Sequence, residues 1–347
     1  MKTIKIKFVG FWQGFNVEKN LLVDCIRKNF DIQIVENNPD YIICSVFNNA
    51  FEYCNYPQIR IMLSGENYVP DFNLIDYAIS SYPISFFDRH FRLPVFLIDN
   101  PYQLLAMESG RNNYNQEFIK SKRYFANFIV GHESEKSLRG DFFHRLSEYK
   151  RVESCGRYLN NMPDGFVVSR QDKIDFQKKC KFTICFESTS HYGFITEKIT
   201  DAFLSGTIPI YYGSQDITSI FNKKAFINCA DYKSFDDVIE KIIELDNDDE
   251  KYLQMLNQPI FIENNYVSNI INMLEQFLMN IFNQPYENAY RRSRCYTPMR
   301  INNLLISQVV KTKKKAHKKN VFTRIFNFSI RVAKGFFRHL KKLFIRH

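Results

Sequence analysis

The stretch from residue 181 to 213, KFTICFESTSHYGFITEKITDAFLSGTIPIYYG, gathers the residue types that could do chemistry on a phosphorylated ligand. Its apolar run at 182–186 reads as a buried strand that delivers Glu187 to its carboxyl end, the edge where α/β sheets bind ligands. A loop containing Gly193 leads to a helix start at Thr196, with Glu197 and Lys198 in the first turn. Free backbone N–H groups and the positive end of the helix dipole suit an anionic pyrophosphate there, and Lys198 adds a full charge. Gly206 then stops the helix. On residue physics alone, a surface Glu–Lys pair on an ordinary helix remains the simpler account of 197 and 198.

The order of residues says more. Phe186–Glu187, Gly193, Thr196 to Lys198, Asp201 to Phe203, Gly206 to Pro209 and Tyr211 to Gly213 together closely resemble the nucleotide-sugar signature of the α-1,3/4-fucosyltransferases, which use GDP-fucose. A second block, SGENYVPDFNLIDYAIS at 64–80 followed by DRHFRLP at 88–94, also matches that family, and implies that Glu66 is the general base. A third, SLRGDFFHRL, resembles the family segment whose arginine contacts the donor diphosphate, which implies Arg139. FWQGF around Trp12 resembles the family's first strand-to-loop turn. The likeness covers roughly residues 4–285. It further implies donor contacts from Glu187, Ser188, Tyr192, Phe194, Glu197 and Lys198, with Glu197 accepting from donor hydroxyls. Two positions depart from the family: Ser188 stands where Asn is usual, and Phe194 where Tyr is frequent. Inversion at the sugar needs one base for the acceptor hydroxyl and one cationic site for the departing diphosphate. The resemblance assigns the first to Glu66 and the second to Arg139, Lys198 and the helix terminus.

Other chemistries find little support. Asp246-Asn247-Asp248 spells the D-x-D that holds a metal in another glycosyltransferase class, but it lies between two helices and reads as a solvated, helix-capping loop. The seven histidines show no ligand spacing, and His191, within the donor loop, reads equally as an exposed loop residue. Eight cysteines occur without a C-x-x-C pair, so neither a zinc site nor a thioredoxin-like motif is indicated. No G-x-S-x-G elbow or P-loop is present. No cofactor is expected to be required, with Mn²⁺ stimulation at most. Thirty-four Phe and 20 Tyr against a single Trp could line sugar or base sites, or simply fill cores.

These residues need elements to hold them. Ile4, Ile6 and Phe8 alternate on one strand face, a helix follows at 18–29, and strand-like runs come at 32–35, 41–46, 59–63 and 77–80. Residues 98–120 read as a polar connection. A second pattern then runs as strand 125–130, helix 134–149, strand 182–186, helix 196–205, strand 208–211 and helices 235–245 and 249–257. Strands interleaved with helices predict two α/β, Rossmann-like domains facing across a cleft. That fits a GT-B-like arrangement, although the pattern alone equally permits a dehydrogenase or a periplasmic-type binding fold. The expected division is 1–120 on the acceptor side, 121–287 for GDP-fucose, and 288–347 as a tail.

The tail carries the charge. Of 47 Lys+Arg, 17 follow Glu287 with no Asp or Glu among them, leaving 30 basic against 37 acidic residues before it. An acidic body argues against a nucleic-acid groove. Beyond the basic run 311–319, Phe322, Ile325, Val332, Phe336, Leu340 and Leu343 recur at helical spacing opposite Arg331, Lys334, Arg338, Lys341 and Lys342. A cationic amphipathic helix of this kind predicts attachment of 311–347 to an anionic membrane surface; the alternative is a helix docked on its own protein. No signal peptide and no apolar run of spanning length are evident, so a cytoplasmic protein, peripheral on the inner face of the membrane, is expected. The expected activity is transfer of fucose to O3 of GlcNAc in an oligosaccharide or lipid-linked bacterial surface glycan. The alternatives are a transferase for another GDP-sugar or acceptor, and a non-catalytic sugar-nucleotide or glycan-binding protein.

Overall fold

The computed structural model describes residues 1–47, 51–109, 113–131, 138–163 and 169–293, with Leu304 and Ser307. Two parallel sheets form the frame. The first has the order β2-β1-β3-β4-β5-β6, from β1 (Thr3–Val9), β2 (Asp31–Ile34), β3 (Tyr41–Cys44), β4 (Ile59–Ser64), β5 (Tyr77–Ser80) and β6 (His90–Arg92). β3, β4 and β5 are buried along their whole length, as expected of strands covered on both faces. The second has the order β11-β10-β9-β7-β8, from β7 (Tyr124–Phe128), β8 (Val152–Ser154), β9 (Cys180–Phe186), β10 (Ile208–Tyr212) and β11 (Ile227–Asn228). In each sheet the strand order reverses once, beside β1 in the first and beside β7 in the second, and crevices open at such reversals.

The helices are α1 (Leu21–Arg27), α2 (Phe96–Asp99), α3 (Pro101–Ser109), α4 (Gln116–Lys120), α5 (Leu138–Tyr149), α6 (Arg170–Gln177), α7 (Glu197–Leu204), α8 (Phe235–Asn247), α9 (Asp249–Leu256), α10 (Tyr266–Asn283) and α11 (Tyr286–Ala289). The expected connection across 98–120 is therefore largely helical. Pro101 opens α3, where its missing N–H costs nothing, and Asn115 caps α4 by accepting from the Phe118 N–H. α6 carries a capping box, Ser169 with Asp172.

The last long helix does not stay with the second sheet. Val267, Ile271, Leu274, Leu278 and Phe282 of α10 join Ile4, Ile6 and Tyr41 in one core. Glu275 accepts from Lys28 and Asn29, each at 2.8 Å, and Lys2 Nζ donates to the Phe282 carbonyl at 2.7 Å. Beyond α11, the backbone N–H groups of Arg291 and Arg292 both donate to Asp76 at 2.8 Å, and the buried Arg292 side chain forms an ion pair with it. Residues 266–292 thus pack with the first sheet, including the start of the segment expected to form a tail from 288. The amphipathic stretch 311–347 lies outside the described residues. Among the described residues no helix is long and apolar enough to cross a membrane.

That first core also takes in Ile199, Ala202 and Phe203 of α7. The helix bearing Glu197 and Lys198 therefore lies at the junction of the two units.

Candidate active site

Between the sheets opens a cleft of about 410 Å³. The first unit contributes Trp12, Phe47, Gly65, Glu66, Val95, Ile98 and Asp99, and the second Ser188, Phe194, Thr196, Glu197 and Lys198. Five of the eight residues expected to act on ligand, namely Glu66, Ser188, Phe194, Glu197 and Lys198, meet in this one space.

Glu66 follows the carboxyl end of β4 and is exposed to the cleft. Its turn is fixed by backbone: its carbonyl accepts from the Tyr68 N–H at 2.8 Å, and its own N–H reaches Ser64 Oγ at 3.3 Å. The next residue, Asn67, accepts from the Tyr82 hydroxyl at 2.8 Å.

Glu187 is placed differently from its expected role. It follows the carboxyl end of β9 as predicted, but its carboxylate is buried under the cleft wall. Oε1 accepts from the Thr196 N–H at 2.7 Å, and Oε2 from Lys198 Nζ at 3.0 Å. The Thr196 hydroxyl lies within 2.9 Å of both carboxylate oxygens and of Lys198 Nζ. Thr196 occupies the N-cap position of α7, yet its side chain makes no capping bond, because it is turned back to Glu187. The amides of the first turn are left without that cap. Glu187 accordingly anchors the helix start and Lys198.

Burial works against charge on Lys198, but Glu187 and Glu197 outweigh it and raise its pKa. Burial likewise opposes charge on Glu197, and Lys198, Lys173 and Arg170 more than compensate, holding it at about 2. Behind them, Asp201 of α7 has no exposed side-chain surface and pairs with Arg170 at 2.5 Å and Lys173 at 2.7 Å. Arg170 also reaches Asp99 of the first unit at 3.1 Å. Arg139, buried on α5, donates from Nε to the Glu187 carbonyl at 3.2 Å and is not among the residues lining the cleft. Tyr192 is 58% exposed on the loop between the cleft residues Ser188 and Phe194 and is not itself among the residues lining the cleft. Phe194 is buried at the cleft wall.

A second clamp fixes that loop. Gly193 has φ of +83°, and a Cβ there would stand 2.8 Å from the Ser81 carbonyl oxygen. Its N–H donates to Asp216 Oδ1 at 2.9 Å, and Arg92 from β6 grips the same carboxylate at 2.6 Å. The D-x-D aspartates serve structure. Asp246 pairs with Lys150 at 3.0 Å and Lys181 at 2.8 Å, and is nearly buried where a solvated loop was expected. Asp248 caps α9 through the Lys251 N–H. Among the described residues no group of three or more His, Cys, Asp or Glu is arranged to hold a metal ion.

Residues 119–258 match the family described as glycosyltransferase family 10 (fucosyltransferase), C-terminal part, and residues 6–99 match the alpha-(1,3)-fucosyltransferase FucT N-terminal domain. The chain belongs to the family 10 fucosyltransferases. The two matched regions divide as the sheets do, one carrying Glu66 and the other Glu187 to Lys198. This family 10 chain is 30% identical over 289 residues to the alpha-(1,3)-fucosyltransferase FucT of Helicobacter pylori, covering 73% of this chain and 59% of that one. It is 26% identical over 162 residues to the human 4-galactosyl-N-acetylglucosaminide 3-alpha-L-fucosyltransferase 9, covering 46% and 43%. It therefore spans less than two thirds of the length of either relative. A solved alpha1,3-fucosyltransferase with GDP-fucose superposes with a TM-score of 0.63 at 25% identity, over 82% of this chain and 93% of that one.

Phe47 and Asp99 carry no sequence signal as cleft residues, and Trp12 carries only the likeness of FWQGF to the family's first strand-to-loop turn. Trp12 follows β1, Phe47 follows β3 and Asp99 closes α2, and only the tertiary fold brings them together.

Proposed function

We propose that this chain is an inverting fucosyltransferase that moves L-fucose from GDP-fucose to a glycan hydroxyl, O3 of GlcNAc in a bacterial surface glycan. The observation that carries this reading is one cleft with the exposed carboxylate of Glu66 on its first wall, where the neighbouring Asp99 is paired with Arg170, and Lys198 at a helix start on its second. Kinship to the named fucosyltransferases supports the donor, and their 3-linked products support the acceptor position.

In this mechanism the acceptor oxygen bonds to C1 of fucose as the bond from C1 to the diphosphate oxygen breaks. The acceptor proton passes to Glu66, and GDP leaves with the bonding electrons. Lys198, the first-turn amides of α7 and Arg139 stabilise the negative charge that develops on the diphosphate. Glu197, held ionised, accepts from donor hydroxyls. Ser188, Tyr192 and Phe194 contact the donor from the loop, and Glu187 serves it by positioning Lys198. Because protein cations meet the diphosphate, the reaction proceeds without a required metal. Residues 311–347 hold the enzyme to the cytoplasmic face of the membrane, near a lipid-linked acceptor.

The test is a donor-by-acceptor screen of the purified protein in EDTA, read by product linkage, with Glu66→Gln beside wild type. The variant is expected to lose on the order of 10²–10⁴-fold in rate while still binding GDP-fucose. Near-normal turnover by Glu66→Gln would remove the base assignment, and activity only on metal addition would remove the metal-free one.

A further inference from the structure

The first wall of the cleft holds more than Glu66. β1 lies between β2 and β3, so the chain leaves the sheet on either side of a strand-order reversal. Trp12 follows β1 and Phe47 follows β3, which puts both at the carboxyl edge of that reversal. Gly10 makes the meeting possible. Its φ is +75°, and a Cβ would stand 2.7 Å from the Ser45 carbonyl oxygen. The Phe47 N–H then donates to the Gly10 carbonyl at 2.8 Å, fastening one loop to the other.

The rings are held from behind. Phe11, which is buried, stacks on Phe15 at 4.2 Å, and Phe15 meets Trp12 edge-on at 4.7 Å. Trp12 meets Phe47 edge-on at 5.3 Å, and both line the cleft with Glu66. Phe11 is in the core, Phe15 and Trp12 pack half-buried against it, and Trp12 and Phe47 also face the space. Neutral rings beside a carboxylate do not suit a diphosphate. They suit a neutral sugar, whose axial C–H groups form an apolar face and whose hydroxyls form a polar edge.

We propose that Trp12 and Phe47 form the platform for the acceptor sugar. The C–H face of a pyranoside with equatorial substituents lies against the rings, which turns its hydroxyl edge toward Glu66. This rests on the transferase reading, in which Glu66 takes the proton of that hydroxyl.

Trp12 is the chain's single tryptophan, so its emission reports this wall alone. Titrating the full chain with a β-N-acetylglucosaminide disaccharide is expected to change that emission saturably. Trp12→Ala and Phe47→Ala should each raise the acceptor KM on the order of tenfold, leaving the GDP-fucose KM unchanged, while Trp12→Phe stays close to wild type. Unchanged GDP affinity certifies the fold of each variant. If Trp12→Ala does not fold, Phe47→Ala carries the kinetic comparison and keeps the fluorophore. Wild type that transfers fucose without any emission response, or a folded alanine variant with the wild-type acceptor KM, overturns the platform and leaves the transferase reading intact. A saturable response in a protein that transfers to no acceptor supports the platform while the transferase reading falls.

Discussion

Lys198 holds the Glu187 carboxylate and the Thr196 hydroxyl within 3.0 Å while still lining the cleft. Its ammonium is thus positioned before any ligand arrives, and so is Arg139, through its bond to the Glu187 carbonyl. Lys198→Ala and Arg139→Ala are each expected to weaken GDP binding by about 1.5–3 kcal/mol, the range of a lost charge-assisted contact. Calorimetric titration with GDP checks this, and unchanged affinity in both variants would put the diphosphate elsewhere. Lys198→Ala should also lower thermal stability, because Glu187 stays buried with one cation fewer. The role of Glu187 shows where sequence reading ran out. A glutamate at a strand end looks the same whether it meets ligand or anchors a helix. The deciding fact, Thr196 turning back instead of capping, leaves no mark on spacing.

Elements were legible where their patterns were long enough. The strands at 41–44, 59–64 and 77–80 are mostly apolar and buried at every position, and β1 alternates cleanly at Ile4 and Ile6. β6, β8 and β11 are two or three residues long, too short for any period to show. α10 did carry a helical stripe, Val267, Ile271, Leu274, Leu278 and Ile281, but nothing local reveals which sheet it covers. The same is true of the Arg92–Asp216 clamp, whose partners come from different units. Burial opposes charge on Asp216, but Ser214, the Gly193 N–H and Arg92 together lower its pKa. A carboxylate with a lowered folded value contributes fully above the ordinary aspartate range, and that contribution is lost as pH falls through the lowered value. Arg92→Gln should therefore cost about 1–2 kcal/mol near neutral pH, allowing for solvent at Arg92. Thermal melts from neutral pH to pH 3 are the check: wild type should lose its advantage on acidification. Parallel curves for the two proteins would mean that the clamp adds nothing.

At the scale of the whole molecule, charge and chemistry are separated. The residues lining the cleft fall between 12 and 198, whereas the net positive charge follows Glu287. Deleting residues from Lys311 onward is expected to release the protein from anionic vesicles while preserving activity on a small soluble acceptor. Binding by the full chain should weaken with salt as screening shortens, with the Phe and Leu side chains retaining part of it. Co-sedimentation of both forms at low and high salt decides the matter, and equal sedimentation would favour a tail packed on its own protein. The return of α10 to the first sheet bears on how the chain is made. A ribosome finishes all six strands of that sheet by Arg92, but the helix that shares a core with Ile4 and Ile6 begins only at Tyr266. At roughly 5–20 residues per second, the wait is on the order of ten to thirty seconds. The second unit can close one face on a core completed by Leu256, whereas its other face, with α7, belongs to the core that α10 completes. The first sheet, though synthesised first, keeps part of its apolar face uncovered until α10 has been made.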